Sequence, residues 1–271
     1  MEITALDVGQ GDALLVVVPP GRTLLIDAGG LRDPDFGLDT GADVVAPYLW
    51  SRGIRRLDAV ALTHAHQDHI GGLFAILENF QVGELWLGKN PESEVMARLR
   101  AVAEFRGVRV VERLRGQSLE WGRARLEFLS PGSDYSPGRR PGNNDSLVMR
   151  LTYGQRTALL AGDVERRMEQ EMLRDGLPLA ADLLKVPHHG SKTSSTEPFL
   201  AQVRAPFGII SVAANSPFSH PNPEALDRLD SARVRLFRTD RDGAITWATD
   251  GRRVFLHTFR EEQAWRVSEL W

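Results

Sequence analysis

The sequence predicts an α/β chain of two similar halves, approximately residues 1–122 and 123–271, within one domain spanning 1–271. Three observations lead there. Short apolar runs bounded by Gly, Pro and Asp alternate with helical stretches. A hairpin-and-strand pattern in the first half recurs in the second. In both copies the apolar strands end on acidic or imidazole side chains.

Residues 3–8, 13–18, 23–26, 59–63 and 84–87 read as strands, and 42–52, 72–79 and 92–106 as helices. The segment 12–18 followed by 21–27 resembles 145–151 followed by 154–163, each copy being a β-hairpin that ends in an acid. The stretch from Asp58 to His64 then aligns with that from Asp182 to His188, each an apolar strand ending in histidine. Packed sheet on sheet with helices outside, two such halves bring their strand ends to one edge. The repeat therefore predicts a composite site built from Asp27, His64, Asp163 and His188. Residues 131–144, rich in Ser, Gly, Pro and Arg, read as a long exposed loop, a kind of segment that often serves as a functional lid.

Composition bounds the chemistry. With 271 residues, 42% hydrophobic and 25% charged, the chain is long enough to bury a substantial core. Its apolar runs fall far short of the roughly 20 residues a membrane span needs, so no membrane insertion is expected. The N-terminus opens into a β-like run, and no export signal is expected there. There is no cysteine, which excludes disulfides, thiolate ligands and a cysteine nucleophile. A net charge of −3 gives no global affinity for nucleic acid, so any polyanion is recognised locally.

His64, His66, Asp68 and His69 crowd four ligand-grade side chains between an apolar strand and the Gly71–Gly72 turn. Imidazole and carboxylate donors suit Zn²⁺, Mn²⁺ or Fe²⁺ better than Ca²⁺ or Mg²⁺. His64 and His66 can point the same way from an extended segment and share one ion, while Asp68 and His69 turn toward a second. Ser191, Lys192 and Thr193, between His189 and a helix expected at 197–203, offer hydroxyls and a cation to phosphate oxygens.

The run Thr63-His64-Ala65-His66-Gln67-Asp68-His69-Ile70-Gly71-Gly72 resembles the signature of the metallo-β-lactamase superfamily, with Leu25-Ile26-Asp27-Ala28-Gly29 and Leu159-Leu160-Ala161-Gly162-Asp163 matching its other acidic motifs. The resemblance implies an αββα sandwich with a shared metal site at one edge. It also implies that Asp27 orients the histidine loop, that Asp163 bridges two ions, and that His188 is the last histidine ligand. His189 is then an outer or substrate-facing group. His220 could ligate, shuttle a proton or cap a turn.

Residues 6–13, 184–194, Ser219-His220-Pro221 with Glu224, and Arg238-Thr239-Asp240 before Gly243 further resemble the C-terminal hydrolase domain of ComEC competence proteins and its stand-alone relatives. That resemblance implies a nuclease acting on DNA during uptake, with Asp68, Asp163 and Lys192 as catalytic groups. The place is cytoplasmic for a stand-alone chain, and the extracytoplasmic face beside a membrane channel domain for a ComEC domain. Where the wider superfamily carries another histidine, this chain has Asn143 and Asn144. An amide oxygen is a weak zinc ligand, which favours Mn²⁺ for activity with Zn²⁺ as the other candidate. A small-molecule ester, thioester or lactam hydrolase and a non-catalytic DNA-binding module are the competing readings.

Overall fold

Side-chain alternation along the strands divides the apolar residues among three cores, and this division sets the layering. The computed structural model describes residues 1–30 and 37–260 and the short strand 265–266. Strands β1 (Glu2–Ala5), β2 (Leu14–Val18), β3 (Arg22–Ile26), β4 (Arg56–Leu62), β5 (Gln81–Leu87) and β6 (Arg109–Glu112) lie side by side in chain order in one sheet. The second sheet holds β7 (Ser118–Trp121), β8 (Ala124–Ser130), β9 (Val148–Tyr153), β10 (Arg156–Leu160), β11 (Leu183–Lys185), β12 (Phe207–Ile210) and β13 (Arg235–Arg238). The chain then returns to the first sheet, where β14 (Ile245–Thr249) pairs with β1 and is followed outward by β15 (Val254–Thr258) and β16 (Trp265–Arg266).

Leu24 and Ile26 of β3, and Ala59 and Ala61 of β4, enter the core between the sheets, facing Leu126, Phe128, Met149, Leu160 and Ile209. Their neighbours Leu25, Val60 and Leu62 point to the opposite face, under the helices α1 (Ala46–Ser51), α3 (Leu73–Asn79) and α4 (Glu94–Phe105). On the outer face of the second sheet, Leu159, Leu184 and Ile210 pack with Met168 and Met172 of α5 (Arg166–Arg174), Phe199 and Leu200 of α6 (Glu197–Val203) and Leu229 of α7 (Pro223–Ser231). Each such fully buried Leu, Ile or Phe contributes about 1.5–3 kcal/mol, so the cores drive the assembly. Helix α4 shows the local logic: Ser93 caps it by accepting the Met96 amide, and Met96, Leu99 and Ala103 recur at helical spacing on the buried face.

The internal repeat extends to individual contacts. From β1 to β6 the pairings run antiparallel, antiparallel, then parallel three times, and β8 to β13 repeat that order. Arg22 bonds Asp58 at 2.8 Å while the Thr23 amide donates to the same carboxylate at 2.9 Å. In the second copy Arg156 bonds Asp182 at 2.9 Å and the Thr157 amide donates to it at 2.8 Å. The first sheet is nevertheless not built from the first half alone, because β14 to β16 complete its edge and β7 already belongs to the second sheet.

The 131–144 stretch is irregular up to a single turn at Asn143–Asp145. The expected helix over 42–52 begins as a π-turn at Gly41–Val45 before α1. No helix among the described residues is long and apolar enough to cross a membrane.

Candidate metal centre

The histidine loop leaves β4 at Thr63 and passes through the single turn α2 (Gln67–Ile70) into α3. Backbone contacts clamp it: the Asp12 amide donates to Asp68 O (3.2 Å), Ala28 to His69 O (3.1 Å) and Gly72 to Gly29 O (3.0 Å). The packing is too tight for side chains at several glycines, of which two show it best. A Cβ on Gly11 would lie 2.1 Å from Asp68 O, and one on Gly72 would lie 2.2 Å from Ala28 O. The loop's shape is thus set by backbone against backbone.

Asp27 is the hub beneath the loop, fully buried and in the left-handed region that Asp tolerates better than most residues (φ 57). One oxygen accepts the Thr63 amide (2.8 Å), and the other accepts the Thr63 hydroxyl (2.6 Å) and His69 Nδ1–H (2.8 Å). Because the Thr63 hydroxyl gives its hydrogen to Asp27, it can only accept from His64 Nδ1, 3.2 Å away. That assigns the His64 lone pair to Nε2. His66 Nε2 donates to the carbonyl of Pro141 at 3.1 Å, which puts the His66 lone pair on Nδ1. The two lone pairs face each other across 2.9 Å.

The same pattern holds deeper in. His69 Nε2 faces Asp163 Oδ2 at 3.2 Å, and His189, whose Nδ1 donates to Ser211 O at 2.9 Å, turns Nε2 to Asp163 at 3.2 Å and Asp68 at 3.4 Å. His69 Nε2 and His189 Nε2 are buried without a hydrogen-bond partner, as is Asp12 Oδ1. Nitrogen lone pairs aimed at each other and at carboxylate oxygens need a cation between them, so these donors fit a divalent ion. The triplets His64–His69–Asp163, Asp68–His69–His189 and Asp12–Asp163–His189 each bring one atom per residue within 4.8 Å of the others.

Electrostatics agree with the geometry. Burial opposes charge on His69, but Asp163, Asp27 and Asp68 together hold its pKa well above the ordinary value. His189, against the same burial, is raised to about 9, chiefly by Asp163. Asp68 and Asp163 are depressed despite burial, Asp68 mainly by His69 and Asp163 mainly by His189. His64 goes the other way from His69 and His189, lowered first by burial and then by the charge on His69.

The structure differs from the sequence expectation at His188. Topologically His188 is the partner of His64, but after β11 the chain does not continue extended as it does after β4. It turns at once, with both His188 and His189 at positive φ (50° and 52°). The turn carries His188 outward, 18% exposed, toward Glu165 (3.4 Å), and drives His189, 1% exposed, into the carboxylates. The imidazole from the second sheet that joins the cluster is therefore His189.

Other expected groups are distributed as follows. Asn144 Oδ1 accepts the Glu165 amide at 3.0 Å and so anchors the start of α5, whereas the buried Asn143 Oδ1 has no partner. Asn143 Nδ2 donates to Glu165 at 3.2 Å. The His220 ring lies 5.2 Å from that of His188 and 6.3 Å from that of His189, and burial with those two rings lowers its pKa to about 4. Ser191 Oγ meets Thr193 Oγ1 at 3.0 Å, Thr193 donates to Glu165 at 2.8 Å, and Lys192 is exposed.

Three participants were not singled out from the sequence. Lys185, fully buried at the end of β11, is paired with Asp12 and reaches Gly162 O (3.0 Å) and Asp163 Oδ1 (3.4 Å). Ser146 Oγ accepts the Asp163 amide at 3.0 Å beside His64 Nδ1. A lysine inside the apolar run Leu183-Leu184-Lys185-Val186 was the available signal for the first two, since a buried lysine needs a carboxylate.

The family model described as the metallo-beta-lactamase superfamily matches residues 6–214. The chain is 36% identical over 256 residues to ComE operon protein 3 of Bacillus subtilis, covering 91% of this chain and 33% of that protein. It is 30% identical over 245 residues to competence protein ComA of Neisseria gonorrhoeae, covering 90% of this chain and 31% of that one. It thus spans about a third of the length of the curated relatives it matches. Among solved structures, the metallo-beta-lactamase fold protein YhfI from Bacillus subtilis aligns with a TM-score of 0.56 at 13% identity, covering 92% of this chain and 100% of that one. Zn(2+)-bound PqqB from Methylobacterium extorquens gives 0.55 at 12% identity with the same coverage. These two likenesses show the fold, the family model covers strands of both sheets and every member of the His/Asp cluster, and on that ground the chain belongs to the metallo-beta-lactamase superfamily.

Proposed function

We propose that the chain is a hydrolase that uses two divalent ions to cleave phosphodiester bonds in DNA. The observation that carries this reading is the set of facing lone pairs: His64 Nε2 against His66 Nδ1, and His69 and His189 against Asp163 and Asp68. Charge points to the number of ions and to an anionic substrate. Asp12, Asp27, Asp68 and Asp163 crowd around one buried lysine, which leaves three negative charges when the imidazoles are neutral. Two divalent ions overshoot that by one, a surplus suited to an anionic oxygen.

In this reading His64 and His66 would hold the first ion, Asp68, His69 and His189 would hold the second, and Asp163 would serve both. When bound, the ions would supply Lewis acidity toward a phosphate and a nearby water. Asp68, the most accessible carboxylate of the set, orients the attacking water. Asp27 and Thr63 fix the tautomers of His69 and His64, and Lys185 holds the outer oxygen of Asp163 so that the inner one faces the site. Lys192 reaches the substrate from the exposed loop and neutralises phosphate charge as it develops. Mn²⁺ is the favoured ion, because Asn143 offers an amide oxygen where a further imidazole would favour Zn²⁺.

The similarity to competence proteins supports DNA uptake as the setting, with work beside a membrane channel when the domain belongs to a longer chain. Metal-free protein incubated with single- and double-stranded DNA and Mn²⁺, Zn²⁺ or Mg²⁺, with Asp68→Ala as control, tests the reading. Cleavage that needs Mn²⁺ and Asp68 supports it. Hydrolysis of small esters, thioesters or lactams with intact DNA would replace it.

A further inference from the structure

We infer that the groove beside the centre, walled by Arg166, Arg167 and Lys192, is a binding track for the phosphates of a nucleic-acid strand flanking the scissile one. The inference rests on the DNA reading above and deepens it. A cleft of about 360 Å³ is lined by these three cations together with Asn144, Glu165, Thr193 and Glu224. A second cleft, of about 420 Å³, shares Arg166 and is lined further by Gln170, Thr196, Glu197 and Arg228. The first opens directly on the centre's outer rim, since Glu165 in its wall contacts His188 and Asn143.

The cations of this lining are not paired with the acids of the neighbouring helix. Elsewhere on the surface Arg22 is paired with Asp58, Arg150 with Glu127 and Arg238 with Asp240. Arg166, Arg167 and Lys192 make no side-chain hydrogen bond or ion pair among the described residues. The acids within reach on α5 are committed. Glu165 accepts from Thr193 and Asn143, and Glu169 is buried and accepts from Ser195 and Thr196. Glu171, one turn beyond Arg167, is bound by Arg115 at 2.6 Å.

Position adds to the cost of the arrangement. Arg166 and Arg167 open α5, where the helix dipole disfavours cations. Exposed arginines at an unfavourable end, with their partners diverted, fit an external polyanion. Glu224 in the same lining is an acid that a strand must pass, which favours a spaced series of phosphates over a compact anion.

The test compares wild type with Arg166→Ala/Arg167→Ala, and with Arg252→Ala/Arg253→Ala, a control of equal charge change at the exposed turn between β14 and β15. Fluorescence anisotropy with a single-stranded oligonucleotide across salt concentrations reads binding without needing cleavage. Hydrolysis of bis(p-nitrophenyl) phosphate reads the centre alone. The groove variant is expected to bind roughly tenfold more weakly, with its salt slope flatter by about 1.4, the value for two lost contacts to single-stranded DNA. Its rate on the small diester should be unchanged, the control should match wild type, and Arg166→Lys/Arg167→Lys should restore most of the binding. Oligonucleotide affinity and salt slope in the groove variant equal to wild type would overturn the inference, as would equal losses in the control. Failure of wild type to cleave DNA or the small diester would instead overturn the hydrolase reading, and the anisotropy result would still decide the groove.

Discussion

Replacing Asp27 by Asn isolates the role of the buried hub, because Asn keeps the shape and accepts the left-handed backbone found there. The carboxylate takes three hydrogens and offers none. An amide cannot do that in either orientation. With its oxygen toward the Thr63 amide, its NH₂ meets His69 Nδ1 and forces that ring to carry its proton on Nε2, facing Asp163. With the oxygen toward His69, the NH₂ meets the Thr63 N–H and leaves buried donors unpaired, at about 1–3 kcal/mol. The first orientation removes a ligand lone pair, and loss of such an outer partner typically lowers metal affinity 10–100-fold, about 1.4–2.7 kcal/mol.

Competition against a chromophoric chelator reads this directly, and chemical denaturation with excess chelator separates it from any loss of fold. Thr63→Val should weaken the same binding through His64, and Thr63→Ser should restore it. Ion affinities in Asp27→Asn equal to wild type would refute the tautomer argument from which the ligand set is read.

Three further outcomes are expected. His189→Ala should weaken metal binding by at least about the 10–100-fold typical of outer partners, while His188→Ala leaves the bound stoichiometry intact; isothermal titration with Mn²⁺ distinguishes them. Chelator-treated protein should regain DNA cleavage more fully with Mn²⁺ than with Zn²⁺. Asn143→His should shift that order toward Zn²⁺, and Asn144→His should instead loosen α5, a contrast that metal-dependent rates and thermal melts can read.

Glu84 gives a pH test remote from the centre. Burial raises its pKa, but the Trp86 indole N–H, Arg109 and Arg113 outweigh that and hold it below the ordinary 4.5. Its folded value is therefore below its unfolded one, so its contribution to stability is present above pH 4.5 and fades as the pH falls through the depressed value. Glu84→Gln should melt lower than wild type at neutral pH and converge with it in acid; a constant difference across the range would reject the assignment.

Much of this was legible in the sequence because period-two burial and strand-end chemistry are local signals. The α6 helix is recovered at 197–203, and the strand expected over 59–63 is found as Arg56–Leu62, running into the His64–His69 loop. The repeat was legible for the same reason, since Asp58 and Asp182 occupy equivalent places and make equivalent bonds. What escaped is conformational or long-range. Two consecutive non-glycine residues at positive φ exchange the expected roles of His188 and His189, and no spacing rule announces that. The pairing of β14 with β1 joins residues 240 to 246 apart. Asp12 and Lys185 meet only once the two sheets have packed, so their partnership is a property of the tertiary fold.

The donor set is divided between the sheets, with His64, His66, Asp68 and His69 on the loop after β4 and Asp163 and His189 on turns after β10 and β11. No single peptide therefore fixes the spacing of these donors. That spacing is inherited from the thickness of the layer between the sheets, where Trp86, Phe128 and Trp247 are the largest buried side chains. The interior acts as a gauge block: its width sets the aperture at the rim. Repacking that layer with residues of another size, far from any ligand, would retune which ion fits before it unfolded the protein.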